Sequence, residues 1–296
     1  MKSVAIVTDS NSGLTPEDAR RAGIAVLPMP VLMGEDVLYE GVSLDRQDFF
    51  AQLAQGRSIQ TSQPAPGALL ACWDDVLLDA DSLVYLPMSG GLSSAVYTAK
   101  ALAEDYDSRV IVADNRRISC TQRMAALEAA GLADLGYSAQ EIGRILEEHA
   151  KDASIYISMD TLSYLKRGGR ITAAGAAIAT ALNLKPILRI DGGKLDAYSK
   201  ARGNKQAQQV LLGAVQSDLE QRFCGRSVTF RCAGTCSDID AAAWTAMAQS
   251  HFPDHTIGYD PLALSISCHI GPGAYAIVCM AHLPQLTDPF YYTWES

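Results

Sequence analysis

The alternation of short apolar runs with amphipathic segments predicts an α/β architecture in the first half of the chain. Apolar runs near residues 4–7, 82–86 and 109–113 predict buried strands. Each run is followed by a polar or glycine-bearing turn and then by a helical pattern. Strands that alternate with helices in this way are typical of a parallel sheet flanked by helices. We therefore predict a domain of that class over residues 1–153.

Residues 154–283 show a different pattern and predict a mixed α+β domain. A strand over 154–159 precedes an Ala-rich helix over 173–184, and the glycine turn at 191–193 joins two strands in a hairpin. A long amphipathic helix follows over 204–222. The expected fold class is thus α/β, with an N-terminal domain built on a parallel sheet flanked by helices and a C-terminal mixed α+β domain.

Proline and aromatic residues give further information on two segments. The strand-like stretch 24–33 contains two prolines, which favours an edge position in the sheet. An aromatic tail closes the chain over 284–296, with Phe290, Tyr291, Tyr292 and Trp294 within five residues. Because exposed aromatic clusters of this density are uncommon, we expect the tail to dock on the body of the protein.

Composition adds that the chain is an ordinary core-forming protein. Of its 296 residues, 48% are hydrophobic and 19% are charged, which excludes a disordered chain and at this length suggests two domains. The formal net charge of -9 argues against a nucleic-acid partner. The seven cysteines lack paired spacing, so free thiols in a reducing cytoplasm are expected rather than a metal site. No apolar run approaches the ~20 residues that span a bilayer, and the expected localisation is cytoplasmic.

Three polar clusters in glycine- or proline-bearing loops are candidates for chemistry. The first, Thr61-Ser62-Gln63-Pro64, places two hydroxyls and an amide before a predicted helix, and a cap and turn is its plainer interpretation. The second surrounds Ser93 at a strand–loop–helix junction, where unpaired backbone amides and the helix dipole favour an anion; a tight turn with a serine cap explains it equally. The third is His269 beside Gly271, in a Gly-Pro-Gly sequence that predicts an unusual backbone path. A lone histidine is otherwise more often structural.

Basic residues also concentrate in the second predicted domain. They cluster around Arg170 and again along the segment that contains Lys200 and Arg202. One interpretation is an electropositive face for an acidic partner or a phosphate. The other is a set of solvated helix ends and hairpin faces. The sequence pattern leaves both open.

Taken together, these segments resemble the DegV family of fatty-acid-binding proteins, which includes the lipid-carrying subunit of bacterial fatty acid kinase. Each matching motif is weak alone, but six collinear motifs at compatible spacing over residues 3–282 are specific. The motifs are VTDSNSGL (7–14), TSQPAPG (61–67), SGGLSSA (89–95), DTLSYLKRGGRIT (160–172), KPIL followed by DG and KARG (185–203), and HIGPGA (269–274).

The resemblance implies that one long-chain fatty acid, such as palmitate, stearate or oleate, is bound as a ligand between the two domains. Its carboxylate is expected to be held by Thr61 and Ser93, with Ser62, His269 and Gly271 completing the polar end. The predicted helix over 173–184 is a candidate lining for the acyl chain, with plain core as the alternative. No catalytic residue, metal or cofactor is implied.

The resemblance also implies partners. Arg170, Arg202 and Lys200 are expected on a basic face that meets a separate ATP-dependent fatty acid kinase. The kinase would form an acyl phosphate, which an acyltransferase then uses in phospholipid synthesis. The expected protein is a monomer that makes at most peripheral contact with a membrane.

Two of the motifs depart from the family pattern. Ala65 replaces the usual serine after TSQP, and Ser94-Ala95 replaces the usual Gly-Thr after Ser93. These changes remove a hydroxyl and add bulk near the expected head group.

The alternative function is a serine hydrolase of acyl esters that uses Ser93 and His269. The sequence Gly-Leu-Ser-Ser-Ala around Ser93 is a near miss to the Gly-x-Ser-x-Gly elbow of such enzymes. Against it, the predicted strand ends several residues before Ser93, and no acid is placed to orient His269. A non-catalytic lipid-binding carrier is therefore the function that the sequence favours.

Overall fold

The computed structural model describes residues 2–178 and 184–292. Contacts within the chain divide them into two compact units, here called the N-unit and the C-unit, each with its own sheets and core. The N-unit consists of residues 2–151, 263–265 and 283–292, and the C-unit of residues 152–178, 184–262 and 266–282.

Strands and helices alternate along most of this length. The strands are β1 (Lys2–Asp9), β2 (Ile24–Leu27), β3 (Pro30–Met33), β4 (Asp36–Tyr39), β5 (Ile59–Thr61), β6 (Ala80–Leu86), β7 (Val110–Val112), β8 (Ala153–Ser158), β9 (Leu184–Ile190), β10 (Asp196–Arg202), β11 (Val228–Gly234), β12 (Gly258–Pro261) and β13 (Tyr275–Ala281). The helices are α1 (Pro16–Ala22), α2 (Arg46–Ala54), α3 (Pro66–Val76), α4 (Ala95–Ala103), α5 (Cys120–Asp134), α6 (Ala139–Glu148), α7 (Ser163–Gly168), α8 (Ala173–Ala177), α9 (Gly203–Gln221), α10 (Asp238–His251) and α11 (Leu264–Ile270). Among the described residues, no helix is both long and apolar enough to cross a membrane.

A parallel four-stranded sheet in the order β2–β1–β6–β7 forms the centre of the N-unit. Helices α3 and α4 cover one face, where Trp73 and Tyr85 pack edge to face with ring centroids 5.7 Å apart. Helix α5 contacts β1 and β6 and is buried along most of its length. The predicted parallel sheet with flanking helices is confirmed.

A second, three-stranded antiparallel sheet in the order β4–β3–β5 belongs to the same unit. The sequence pattern treated residues 24–33 as one edge strand. The structure divides that stretch into β2, which lies at the edge of the parallel sheet, and β3, which begins at Pro30 in the small sheet. Pro28 and Pro30 lack the N–H that a continuous ladder needs, which explains the break.

The C-unit is built on a six-stranded sheet in the order β10–β9–β8–β13–β11–β12. All neighbours are antiparallel except β11 and β12. Its core includes Phe230 and Trp244, whose indole N–H donates to the Ala276 carbonyl at 3.0 Å. The predicted mixed α+β domain and its β9–β10 hairpin are confirmed.

The helix predicted over 173–184 is wrong at its C-terminal end. Helix α8 contains only Ala173–Ala177, capped by Thr172, whose hydroxyl accepts from the Gly175 amide at 2.9 Å. Leu184 instead begins β9. Pro186 disfavours a helical conformation at the residue before it and removes a backbone donor, so a helix cannot continue through this point. The intervening residues 179–183 lie outside the described residues.

The start of the aromatic tail docks on the N-unit, as expected. A Cβ atom added at Gly131 of α5 would lie 2.9 Å from the Leu286 side chain and 3.0 Å from the Tyr291 ring. The Tyr291 hydroxyl donates to Asp134 Oδ2 at 2.8 Å. The close contact between the tail and α5 is therefore possible because residue 131 is a glycine. Trp294 lies outside the described residues.

A buried ion pair joins the edge strand β12 to β11. Arg231 Nε donates to Asp260 Oδ2 at 2.7 Å, and a second guanidinium nitrogen donates to Oδ1 at 3.2 Å. The two side chains are only 7% and 5% exposed. Removal of one member of such a pair leaves the other charge buried without its counter-charge.

We predict that Arg231→Met lowers the free energy of unfolding by about 3–5 kcal/mol, because Asp260 is left uncompensated. The control is Arg144→Met, which removes an exposed pair with Glu148 (61% and 56% exposed) and is expected to change stability by less than about 1 kcal/mol. Urea unfolding measures both. Equal losses in the two variants would contradict a structural role for the buried pair.

Candidate functional site

A fully buried carboxylate, Asp9, lies at the carboxyl end of β1. Its Oδ1 atom accepts from the Asn11 amide at 2.9 Å, from the Asn11 side chain at 2.8 Å and from Gln122 Nε2 at 3.1 Å. Its Oδ2 atom accepts from the Met88 amide at 2.9 Å. Burial raises the pKa of Asp9, and these four hydrogen bonds oppose the rise. Asp9 thereby ties β1 to α5 and to the loop after β6.

That loop, residues 87–94, is also held by the segment that follows β7. The Ser89 amide donates to the Arg117 carbonyl at 2.9 Å, and the Gly90 amide donates to Asp114 Oδ1 at 3.2 Å. A Cβ atom at Gly90 would lie 2.6 Å from Asp114 Oδ2. The close approach of the carboxylate to the backbone therefore requires glycine at this position.

The segment after β7 is itself anchored by a buried ion pair. Arg117 Nη1 lies 3.1 Å from Glu128 Oε2, and Nη2 donates to the His149 carbonyl at 3.0 Å. Burial raises the pKa of Glu128 to about 7, against the lowering effect of Arg117. Arg117, whose carbonyl accepts from the Ser89 amide, is thus held in place by the two contacts of its guanidinium group.

Three further amides of the loop donate within it. The Gly91 amide donates to Ser89 Oγ at 3.1 Å, and the amides of Leu92 and Ser93 donate to the Ser89 carbonyl at 2.9 and 3.1 Å. The amides of residues 88–93 are thus engaged, which narrows the prediction that unpaired amides at this junction favour an anion to the amides that follow them. The loop also offers the Ser93 hydroxyl. Its Oγ atom accepts from the Ala95 amide at 3.2 Å, which leaves the hydroxyl proton for a ligand.

The geometry at Ser93 does not favour a hydrolase. Residues 87–92 separate Ser93 from the end of β6 at Leu86, whereas the nucleophile elbow needs a sharp strand-to-serine turn. Burial and the positive charge of Arg170 both disfavour the protonated imidazole of His269, whereas a catalytic base must take up a proton. Both observations weaken the alternative function.

Thr61 was expected in a loop but ends strand β5, where it pairs with Val31 of β3. It is half-buried, and the following Ser62 is exposed. The Ser62 hydroxyl donates to the Gln63 carbonyl at 2.9 Å. The pairing of β5 with β3 therefore fixes the backbone of Thr61, while Ser62 is exposed to solvent.

The structure brings the Thr61 and Ser93 segments together through Gln63. Its Oε1 atom accepts from the Ser94 hydroxyl at 3.1 Å and from the Thr98 hydroxyl at 3.2 Å. Ser94 and Thr98 are four residues apart on one face at the start of α4. Two of the three clusters predicted from sequence thus meet within the N-unit.

His269 was also expected in a loop, but it lies in the last turn of α11 in the C-unit. The ring packs against Gly168 at the end of α7, where an added Cβ would lie 2.3 Å from Nδ1. Burial, together with the charge of Arg170, lowers the pKa of His269 to about 4. The imidazole is therefore neutral at pH 7 and can donate one hydrogen bond.

The unusual backbone path after His269 is confirmed. Gly271 has a φ of 78°, and a Cβ there would lie 2.4 Å from the Tyr164 ring. Thr235 fixes the turn, because its hydroxyl donates to the Gly271 carbonyl at 2.6 Å and accepts from the Ala274 amide at 3.0 Å. The last motif therefore packs on the segment that contains Tyr164.

The three basic residues lie on one hairpin and its neighbouring segment. The Arg170 carbonyl accepts from the Leu195 amide at 3.0 Å, just before β10 begins, and its guanidinium donates to the Gly168 carbonyl. Lys200 and Arg202 are exposed and share one face at the far end of β10. Along that strand, the backbones of Arg170 and Arg202 are separated by roughly 20 Å, so the structure does not gather them into a single cluster.

The described residues contain no group of three His, Cys, Asp or Glu side chains arranged to hold a metal ion. All seven cysteines are free thiols. Burial raises the pKa of the Cys268 thiol to about 11, against the charges of Arg167 and Arg170. This thiol is protonated at neutral pH and is a poor nucleophile.

Sequence reasoning missed Asp9 and Asp114. Each follows an apolar strand run, so the position at the carboxyl edge of a parallel sheet was a usable signal. Gln63 was part of the first polar cluster, but its bridge to Ser94 and Thr98 was not predicted, because these partners are distant in sequence.

Comparison with known proteins places these features in a family context. The chain matches the family model described as "Uncharacterised protein, DegV family" over residues 3–282. A DegV domain-containing protein of Deinococcus radiodurans is 33% identical over 276 residues, which cover 93% of this chain and 97% of that protein. The solved structure of a DegV family protein from Thermus thermophilus, described as binding fatty acid, has a TM-score of 0.85 at 30% identity and covers 95% of this chain and 100% of that one. DegV from Bacillus subtilis, described as a fatty acid binding protein, has a TM-score of 0.83 at 26% identity, with the same coverage.

We predict that Gly168→Ala lowers the free energy of unfolding by about 1–3 kcal/mol, because the new methyl group overlaps the His269 ring. The matched control is Gly213→Ala in α9, where an added Cβ meets nothing within 4 Å; it is expected to raise stability by about 0.5–1 kcal/mol. Thermal unfolding compares the two. The same sign of change in both variants would contradict the close packing.

We predict a pH dependence that belongs to His269. Its pKa is about 4 in the folded protein and 6.5 when exposed, so the unfolded chain takes up a proton first as pH falls. Between pH 7 and pH 5 the protein therefore loses on the order of 2 kcal/mol of stability through this group. The His269→Gln variant lacks this loss, and urea unfolding at pH 7, 6 and 5 measures it. Parallel pH profiles for the two proteins would show that the imidazole is not held neutral.

Proposed function

Because the chain belongs to the DegV family, we propose that it binds one long-chain fatty acid. The observation that carries the proposal is the relation to the Thermus thermophilus protein, which is described as fatty-acid-binding and is 30% identical over 95% of this chain. Each buried CH₂ group of the acyl chain contributes about 0.8 kcal/mol. In this proposal the acyl chain of the fatty acid occupies an apolar tunnel between the N-terminal and C-terminal domains. The polar residues at one end of the tunnel set the position of the carboxylate.

The carboxylate is held by neutral donors. A carboxylate only accepts hydrogen bonds, and when buried it needs several donors. Thr61 and Ser93 supply hydroxyls, Ser62 adds a third, and His269 with the backbone at Gly271 completes the polar end. None of these groups neutralises the carboxylate, so its oxygen stays nucleophilic.

The protein acts as a carrier rather than an enzyme. It presents the carboxylate to a separate kinase, which transfers the γ-phosphoryl group of ATP to a carboxylate oxygen; the products are an acyl phosphate and ADP. An acyltransferase then uses the acyl phosphate in phospholipid synthesis. Arg170, Lys200 and Arg202 supply positive charge toward the kinase or the transferred phosphate. We propose a cytoplasmic monomer with no cofactor.

Organic extraction of the purified protein followed by mass spectrometry tests the binding proposal directly. A single fatty acid per protein chain is the expected result. A protein that contains no bound fatty acid and takes up no added oleate would overturn the proposal. Addition of a bacterial fatty acid kinase and ATP tests the carrier role through formation of acyl phosphate. Binding without any phosphoryl transfer would leave a fatty-acid-binding protein that is not a kinase partner.

We predict that the Thr61→Ala, Ser93→Ala double variant binds oleate about 10- to 100-fold more weakly, because two hydrogen bonds to a charged group are lost. Thr256→Ala, at an exposed site in the C-unit, is the control and is expected to keep the affinity. Isothermal titration calorimetry measures binding, and thermal unfolding checks that the variant remains folded. Unchanged affinity in a folded double variant would refute the assignment of the head-group residues.

A further inference from the structure

We infer that Gln63 is a positioning residue that sets Thr61 and Ser93 at the spacing one carboxylate requires. The inference rests on the proposed function for its consequence, but the bridge itself can be measured without a ligand. It concerns a residue that does not itself contact the ligand and acts through its two neighbours in the N-unit.

The bridge is made by a single acceptor atom. Gln63 Oε1 accepts from Ser94 Oγ at 3.1 Å and from Thr98 Oγ1 at 3.2 Å. A carbonyl oxygen has two lone pairs, so these two hydroxyls use its full capacity. Both donors belong to the start of α4, which keeps their spacing fixed.

The bridge lies close in sequence to both head-group hydroxyls. Thr61 is the last residue of β5, two positions before Gln63. Ser93 directly precedes Ser94, and its Oγ atom accepts from the Ala95 amide at 3.2 Å. Any change in the Gln63 contact therefore moves one hydroxyl relative to the other.

The backbone gives the Thr61 segment only limited support beyond the strand. Residues 62–65 connect β5 to α3, and the Ser62 amide reaches the Pro30 carbonyl at 3.4 Å, a long hydrogen bond. The side chain of Gln63 is thus the contact that fastens this connection to α4. Because a carboxylate needs both donors within hydrogen-bond distance together, a small displacement lowers affinity.

Thr98 allows the bridge to be cut away from the head group. Thr98→Val replaces the hydroxyl by a methyl group of similar size, and Thr98→Ser keeps the hydroxyl as the matched control. Hydrogen–deuterium exchange of residues 59–65 in the ligand-free protein reports the bridge, and calorimetric titration with oleate reports affinity. We expect Thr98→Val to speed exchange in this segment and to weaken oleate binding about 3- to 10-fold, while Thr98→Ser retains both wild-type values.

A double-variant cycle separates positioning from general loosening of the fold. Gln63→Ala is expected to weaken binding as much as Thr98→Val or more, and Gln63→Ala with Thr98→Val no more than Gln63→Ala alone, since both changes cut one bridge. Additive losses, or Thr98→Val with unchanged exchange and affinity, would overturn the inference. If the wild-type protein takes up no oleate while Thr98→Val still speeds exchange at 59–65, the bridge stands and the proposed function fails.

Discussion

The buried carboxylate of Asp9 is the constraint on which the N-unit site depends, because its hydrogen-bond donors come from three different parts of the fold. Asn11 follows β1, Gln122 lies on α5, and Met88 is the second residue of the loop after β6. A buried charge that loses donors is expensive, so these elements must keep their mutual positions. The loop that contains Ser93 is thereby fixed at Met88 before any ligand is considered.

The same logic extends along the loop. Asp114 takes the amide of Gly90, and the Arg117 carbonyl takes that of Ser89. With the amides of residues 88–93 engaged, the Ser93 hydroxyl is the side-chain donor that this part of the loop offers. If the proposed function holds, selectivity for a carboxylate depends on the separation of a few hydroxyl groups rather than on a concentrated positive charge.

Periodicity in the sequence was sufficient for the parallel sheet, the mixed second sheet and the β9–β10 hairpin, because those elements are long or are bounded by glycine. It was insufficient for Thr61, since β5 has only three residues and exists through pairing with β3. Periodicity also failed for His269. The glycines and proline that follow this residue favoured a loop, whereas His269 itself lies in the last turn of α11. The helix expected over 173–184 is shorter in the structure, because the apolar content of this segment favours a helix whereas Pro186 disfavours one at its C-terminal end. The role of Gln63 as a bridge could not be predicted, since hydrogen bonds to Ser94 and Thr98 leave no pattern in the sequence near residue 63.

The contact between Gly168 and His269 has an evolutionary consequence. The imidazole occupies the volume that any side chain at position 168 would need, so the residue at one position limits what the other can hold. A relative with a larger residue at 168 must also carry a smaller or displaced group at 269. We therefore expect the two positions to change together in homologous chains.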